Sequence, residues 1–285
     1  MRYNVVKMEG CGNDFLILDY LGAELPRFYA SEVRYLCDRH FGVGADGLVV
    51  IHGSETAHAA WKFYNSDGSE ASMCGNAARC VIRYLAEKRF PEVEVISLET
   101  GAGIIRGRKL GPSTVEVTLL NSSDVKFDYE HLTLKTEKNV FEGYALNTGV
   151  PHLVLEVKDL ATYPVVPVGS LLLKHPAFSP QQTNVTFFQR LVGAKILATT
   201  FERGVEKETF ACGTGVAAAA IIFSELYLQP FPIEVQVPGG ELTVDLSPAS
   251  KMLLLQGPAE YVMSAEVYAV RHDFEPRHLF SEGKK

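Results

Sequence analysis

The sequence predicts a mixed α/β (α+β) protein of two homologous, pseudo-symmetric domains, each a curved, barrel-like sheet wrapped around a central helix, with a cleft between them. Three observations carry this expectation. Short runs of Val, Ile, Leu and aromatic residues, bounded by Gly, Pro, Asn or Asp, recur along the whole chain, as strands do. Two longer segments show the helical repeat of apolar positions. A set of landmarks also recurs at one fixed spacing, the mark of a duplicated unit.

Strands are expected at Phe15–Leu18, Leu48–Ile51, Val93–Leu98, Val115–Leu120, Leu153–Val157, Asn184–Phe188, Ile233–Val237 and Met252–Leu255. Ala78, Val81, Ile82 and Leu85 share one face of the first helix; Val216, Ala219, Ala220, Phe223 and Tyr227 share one face of the second. From Val216 to Phe223 the second helix is apolar all round and mostly alanine. Such a helix is buried on every side, and its small side chains let a sheet close in.

The repeat sets the architecture. Gly12–Leu18 and Val150–Glu156 match in placement, and with Asn13 and Pro151 as anchors Cys74 and Cys212 each follow 61 residues later. Gly101 and Gly239 lie in turns 27 residues beyond the cysteines, and Asp46 and Asn184 each lie 33 residues after the anchors. The halves are placed at residues 1–132 and 133–265. They join across the polar stretch Lys126–Glu142, and segment 266–285 is a candidate to complete the first half.

A chain of 285 residues accommodates two such units. At 47% hydrophobic and 21% charged it reads as an ordinary soluble globular protein, and a net charge of −7 argues against a nucleic-acid partner. No apolar run reaches the roughly 18–20 residues that span a bilayer. Met1–Val6 leads into Lys7 and Glu9 instead of a signal-peptide core, so the expected location is cytoplasmic. The five cysteines form no C-x-x-C pair and are expected as free thiols. Cys37 and Cys80 read as small buried hydrophobes.

Cys74 and Cys212 read differently. Met73-Cys74-Gly75-Asn76 opens the first helix and Ala211-Cys212-Gly213-Thr214 the second. At a helix N-terminus free N–H groups and the helix dipole favour a thiolate and lower its pKa below about 8.5. Glycine beside it admits a ligand close to the backbone, and the same N–H groups bind anions. A carboxylate gripped by two such helix ends would hang its α-carbon between two sulfurs. That arrangement suits inversion of a stereocentre: one thiolate removes a proton from one face while one thiol donates from the other, and the roles then exchange. Donors aimed at the carboxylate stabilise the carbanion. This chemistry calls for no metal and no cofactor, and no lysine motif suggests pyridoxal phosphate.

Gly10-Cys11-Gly12-Asn13-Asp14-Phe15, Asn65-Ser66-Asp67-Gly68-Ser69, Met73 through Cys80, Glu202-Arg203-Gly204-Val205 and Glu208 through Gly215 resemble the signatures of the diaminopimelate epimerase family, and Pro151-His152 and Asn184-Val185 match further motifs. The resemblance covers nearly the whole chain. It implies interconversion of LL- and meso-diaminopimelate, a small diamino-acid substrate, in lysine and peptidoglycan synthesis; a homodimer is expected from exposed edge strands. By position it implies that Cys74 and Cys212 are the catalytic pair and that Gly75-Asn76 and Gly213-Thr214 bind the α-carboxylate. Asn65 and Glu202-Arg203 would hold the α-amino group; Asn13, Asn184 and Arg203 would reach the distal end; His152 and Glu202 would tune the thiols.

Two positions depart from the family pattern. Val150 stands where Asn usually precedes Pro-His, and Gly47 where many members carry Gln. Both concern the distal end of the substrate, which leaves a broader epimerase, acting also on an amino acid such as glutamate, as the alternative. Rivals are a proline-type racemase with the same thiol pair, an isomerase of non-amino-acid substrates, and a binding module without turnover. The two intact cysteines count against the last two.

Overall fold

In a computed structural model, residues 2–119, 128–247 and 252–268 are described. The chain forms β1 (Arg2–Gly10), β2 (Asn13–Asp19), α1 (Ala30–Cys37), β3 (Gly47–His52), β4 (Ala59–Asn65) and the two-residue β5 (Glu70–Ala71). Then come α2 (Gly75–Lys88), β6 (Ile96–Thr100), β7 (Gly103–Lys109) and β8 (Thr114–Thr118). After these follow β9 (Tyr129–Lys135), β10 (Val140–Asn147), β11 (Pro151–Glu156), α3 (Val165–Leu173), β12 (Asn184–Arg190) and β13 (Lys195–Phe201). The described chain ends with α4 (Gly213–Tyr227), β14 (Ile233–Val237), β15 (Gly240–Leu246), β16 (Leu253–Pro258) and β17 (Glu260–Tyr268).

The strand pairing runs twice through the same order. One run goes β17, β1, β2, β3, β4, β6, β7, β8. The other goes β9, β10, β11, β12, β13, β14, β15, β16. Antiparallel pairing of β8 with β16 joins the two. Registers repeat as well: β2 and β3 pair in parallel with Phe15 opposite Gly47, and β11 and β12 with Leu153 opposite Val185. Each partner in the second pair lies 138 residues after its counterpart, the spacing that also separates Cys74 from Cys212.

Each run curves round one helix. α2 packs on β1, β2, β6, β7 and β8, and α4 on the strands from β10 to β16; a straight helix meets so many strands only if the sheet bends about it. Ala217 to Ala220 of α4 are fully buried, so a larger side chain there would push the wall away. On the outer faces of the sheet sit the two shorter helices. α1 covers Leu16, Leu18, Leu48 and Val50 with Val33 and Leu36. α3 covers Leu153, Leu155, Val185 and Phe187 with Val165, Leu172 and Leu173. β2, β3, β11 and β12 therefore bury both faces, which is why they read as continuous apolar runs.

Several expectations shift. The strand placed from Val93 starts only at Ile96, because the Val93 N–H closes a turn onto the Phe90 carbonyl at 3.1 Å after Pro91. Tyr227 leaves the buried face at the end of α4 and donates its hydroxyl to the Glu156 carboxylate at 2.8 Å. Leu120, Lys126 and residues 269–285, which carried parts of the strand, join and closing-segment expectations, lie outside the described residues.

One contact ties the start of β2 to the turn before β15. Cys11 takes a left-handed conformation, φ 55°, and Gly239 passes so close that a methyl group on it would overlap the Cys11 carbonyl. The Gly239 N–H also bonds the Phe210 carbonyl at 2.9 Å, two residues before Cys212. Gly239→Ala is therefore expected to cost about 1–3 kcal/mol through overpacking, read as a fall in the thermal midpoint. An unchanged midpoint would mean that this turn does not brace the site.

Candidate active site

Cys74 and Cys212 occupy the same local position in their halves. Each is the residue just before a helix, in extended backbone conformation, followed by the glycine that begins α2 or α4. The two helix starts meet: a Cβ on Gly213 would lie 3.7 Å from the Gly75 Cα, and one on Gly75 would lie 3.9 Å from the Gly213 Cα. Free N–H groups and positive helix ends from both halves thus converge on one place, where an anion is favoured. Both cysteines are half-buried, and all five in the chain are free thiols.

The surroundings of the two thiols differ. Cys74 receives stabilisation of its anion from the N–H groups of Asn76 and Ala77. The Asn76 amide donates to Asn13 Oδ1 at 2.8 Å and to the Ala211 carbonyl at 3.0 Å, so α2 is pinned to the residue before Cys212. Asn13 in turn donates to Asp46 at 3.2 Å, and Arg39 grips both Asp14 and Asp46. Burial works to raise Asp14, but Arg39 and Lys7 hold its carboxyl down to about 2.

Around Cys212 the groups are threonines, a histidine and a glutamate. Thr214 Oγ1 lies 3.4 Å from the Cys212 Sγ and 2.9 Å from His152 Nε2. His152 Nδ1 is 3.0 Å from Thr186 Oγ1, which is 3.0 Å from Thr200 Oγ1. Glu202 accepts from Thr209 at 2.5 Å and lies against the Cys212 thiol; burial nevertheless raises its pKa. Asn184 Oδ1 accepts from the Arg203 N–H at 2.8 Å, and the Arg203 side chain bonds the Gln181 carbonyl at 2.6 Å. Asn65 closes its own turn through Ser69 Oγ at 3.0 Å and pairs with Gly47 across β3 and β4.

Gly75, Asn76 and Asn13 therefore gather at Cys74, whereas Gly213, Thr214, His152 and Glu202 gather at Cys212. The expectation of depressed thiol pKa values needs correction. Burial raises both thiols: the Asn76 and Ala77 N–H groups oppose it at Cys74, the Thr214 hydroxyl and the Gly215 N–H oppose it at Cys212, and the Glu202 charge adds to burial at each. Sequence reasoning missed Thr186 and Thr200, whose alignment depends on the register of β12 against β13. It also missed Arg79, whose signal was a lone charge between Ala78 and Cys80 on an apolar helix face. Among the described residues no group of three His, Cys, Asp or Glu side chains is placed to hold a metal, and no helix is long and apolar enough to cross a membrane.

The diaminopimelate epimerase family model matches residues 5–110 and 144–262. Diaminopimelate epimerase of Aquifex aeolicus is 38% identical over 268 residues, covering 88% of this chain and 92% of its own. That of Carboxydothermus hydrogenoformans is 36% identical over 273 residues, covering 92% and 98%. Among solved structures, a PhzF-family phenazine biosynthesis protein of Bacillus anthracis superposes with a TM-score of 0.72 at 16% identity, covering 94% of this chain and all of its own. A hydroxyproline epimerase of Agrobacterium vitis superposes at 0.67 with 16% identity, covering 93% and 92%. These likenesses extend the fold beyond the family, and the sequence matches decide within it: the chain belongs to the diaminopimelate epimerase family.

Proposed function

We propose that this protein interconverts LL- and meso-2,6-diaminopimelate by exchanging the α-proton between Cys74 and Cys212, without a cofactor. The observation that carries this reading is the head-to-head meeting of the two helix starts at Gly75 and Gly213, each preceded by a cysteine. The α-carboxylate is held by the N–H groups of Gly75-Asn76 and Gly213-Thr214, which neutralise the charge that builds as the α-proton leaves. Asn65 and Glu202-Arg203 hold the α-amino group, and Asn13, Asn184 and Arg203 hold the distal end.

The environments divide the roles. Cys212 lies against Glu202, whose charge is second only to burial in raising its thiol, so we assign it the proton as the acid. Cys74, facing two N–H donors, is the base of the free enzyme. The α-C–H bond breaks to place its proton on Cys74, and the proton of Cys212 adds to the opposite face of the carbanion. The thiolate then resides on Cys212, which starts the reverse reaction. We place the enzyme in the cytoplasm, where its thiols stay reduced. We also read it as a homodimer, since among the described residues the sheet ends on β9 and β17, edges that a second copy can cover.

Specificity follows from the two departures. A Cβ at Gly47 would lie 2.8 Å from both Phe63 Cε2 and the Tyr64 carbonyl, so the Gln of other members does not fit without repacking. Val150 offers no polar side-chain atom. A lost hydrogen bond to a charged group is worth about 1.5–3 kcal/mol, so grip on the distal head is weaker and glutamate is turned over at lower efficiency. Incubation with each diaminopimelate isomer and with L-glutamate in deuterated buffer tests both points. The expected result is α-deuterium uptake with inversion for diaminopimelate, slower uptake for glutamate, and sharper selectivity in Val150→Asn. No uptake from diaminopimelate would overturn the main reading, and none from glutamate would overturn the looser specificity.

His152 serves as a neutral strut here. Burial, with the Arg203 charge second, lowers its pKa to about 3, so it holds Thr214 by hydrogen bonding while remaining uncharged near neutrality. Its folded pKa lies below the unfolded value of about 6.5. As pH falls through 6.5 the unfolded chain takes up the proton first, and stability drops by about 1.4 kcal/mol per pH unit until about pH 3. Asp14 adds loss only below its own unfolded value, and Glu202, raised by burial, opposes it. Denaturant unfolding at about pH 6 and pH 4 is expected to show a flatter decline in His152→Asn than in the wild type. Equal slopes would show that His152 is charged in the fold.

A further inference from the structure

The mechanism above leaves one buried charge unused. Arg79 lies in the second turn of α2, with no exposed surface. Among the described residues it makes no ion pair. Its Nε donates to the Pro258 carbonyl at 3.1 Å, its Nη1 stands 3.5 Å from the Gly75 carbonyl, and its Nη2 is buried without a partner. Two glycines make room for it: a Cβ on Gly10 would lie 3.2 Å from Nη2 and one on Gly257 3.3 Å from Nε. An arginine cannot discharge, and an uncompensated buried charge costs several kcal/mol. Tying α2 to the end of β16 needs only a neutral donor.

A cation held this way is the counter-charge for an anion that comes and goes. We propose that Arg79 is a positioning residue for proton transfer, a fixed positive charge beneath the start of α2 that makes Cys74 rather than Cys212 the thiolate of the free enzyme. The inference rests on the two-cysteine reading and adds the source of its asymmetry. The equivalent position in the second half, 138 residues on, is Ala217, so α4 has no such charge.

The groups facing Arg79 single out one thiol. From β1 and the turn after it come Glu9 and Cys11; from α2 itself come Cys74 and Cys80; from the second half Glu202 and Cys212 act on Cys74. Arg79 favours the anionic form of Cys11, which it also hydrogen-bonds, of Cys80 and, behind the two N–H donors, of Cys74. Burial outweighs it at all three, and Glu9 opposes it at Cys11 and Cys80. Of the three, Cys74 alone also receives helix N–H groups, those of Asn76 and Ala77. Glu202 raises both Cys74 and Cys212, and no guanidinium answers it at Cys212.

The test is site-resolved alkylation by iodoacetamide from roughly pH 6 to 10, with peptide mass spectrometry on the full-length wild type, Arg79→Lys and Arg79→Gln, since the thiolate is the reacting form. In the wild type Cys74 is expected to react at lower pH than Cys212. In Arg79→Gln the Cys74 profile is expected to move up by about one pH unit, a roughly tenfold slower reaction near neutrality, with the acid limb of kcat/KM following and the Cys212 profile unmoved. Arg79→Lys keeps the wild-type Cys74 profile. An unmoved Cys74 profile in Arg79→Gln, or Cys212 reacting first in the wild type, would overturn the proposal. Should Arg79→Gln fail to fold, the wild-type order and Arg79→Lys decide: a lysine variant in which Cys74 titrates together with Cys212 is equally fatal. Failure of the two-cysteine reading is separable, because it shows as turnover surviving loss of either cysteine, whatever the alkylation profiles.

Discussion

Two helix N-termini that face each other repel, because each carries the positive end of its dipole and unsatisfied N–H groups. In this protein they nonetheless meet at Gly75 and Gly213, where a Cβ on Gly213 would lie 3.7 Å from the Gly75 Cα and 3.1 Å from a Leu255 methyl. The two runs of one continuous sheet, each wrapped round its helix, hold them there, and on the proposed reading a substrate carboxylate relieves the repulsion. Much of the structure can be understood from that constraint. Alanines line α4 so that its wall can approach; α1 and α3 seal the outer faces of the strands that aim the helices; and Asn76 bridges from α2 to the Ala211 carbonyl.

Symmetry of backbone contrasts with asymmetry of charge. The repeat places the same turn, cysteine, glycine and helix in each half, so that on the proposed reading both faces of a bound α-carbon would meet a sulfur in similar geometry. The side chains around those sulfurs have diverged. Asp14 of the first half has become His152 in the second, Asn76 has become Thr214, and Arg79 has become Ala217. Both thiols meet a backbone N–H and the Glu202 charge; Cys74 also meets the Arg79 cation, and Cys212 the Thr214 hydroxyl. On the proposed two-cysteine mechanism one proton is shared between two bases, and this divergence would set where that proton rests.

The repeat made the fold class legible in the sequence, and β2, β3, β11 and β12 were legible as strands because burial on both faces leaves unbroken apolar runs; their parallel pairing appears only in the structure. β1, β7, β9, β10, β15 and β17 left weaker traces. Each exposes part of its length, as in β17, where Val262 and Met263 face outward, so charged residues interrupt the pattern. Of the site, Cys74 and Cys212 stood out through local motifs alone. Asn13 against Asn76 and His152 against Thr214 needed partners 62 or 63 residues apart, a closeness that only the motif resemblance could suggest. The state of the thiols was misread for a physical reason. Helix N–H groups are visible in sequence, whereas the burial that opposes them is created by the meeting of the two halves.

The central claim, one thiol for each face of the α-carbon, is tested most directly by exchange without inversion. In Cys74→Ala and Cys212→Ala, each supplied separately with pure LL- and pure meso-diaminopimelate in deuterated buffer, one base survives and its partner is gone. The account predicts that neither variant inverts the centre, and that each takes α-deuterium with retention from a different isomer. Substantial epimerisation by either variant, or exchange confined to one variant for both isomers, would contradict it.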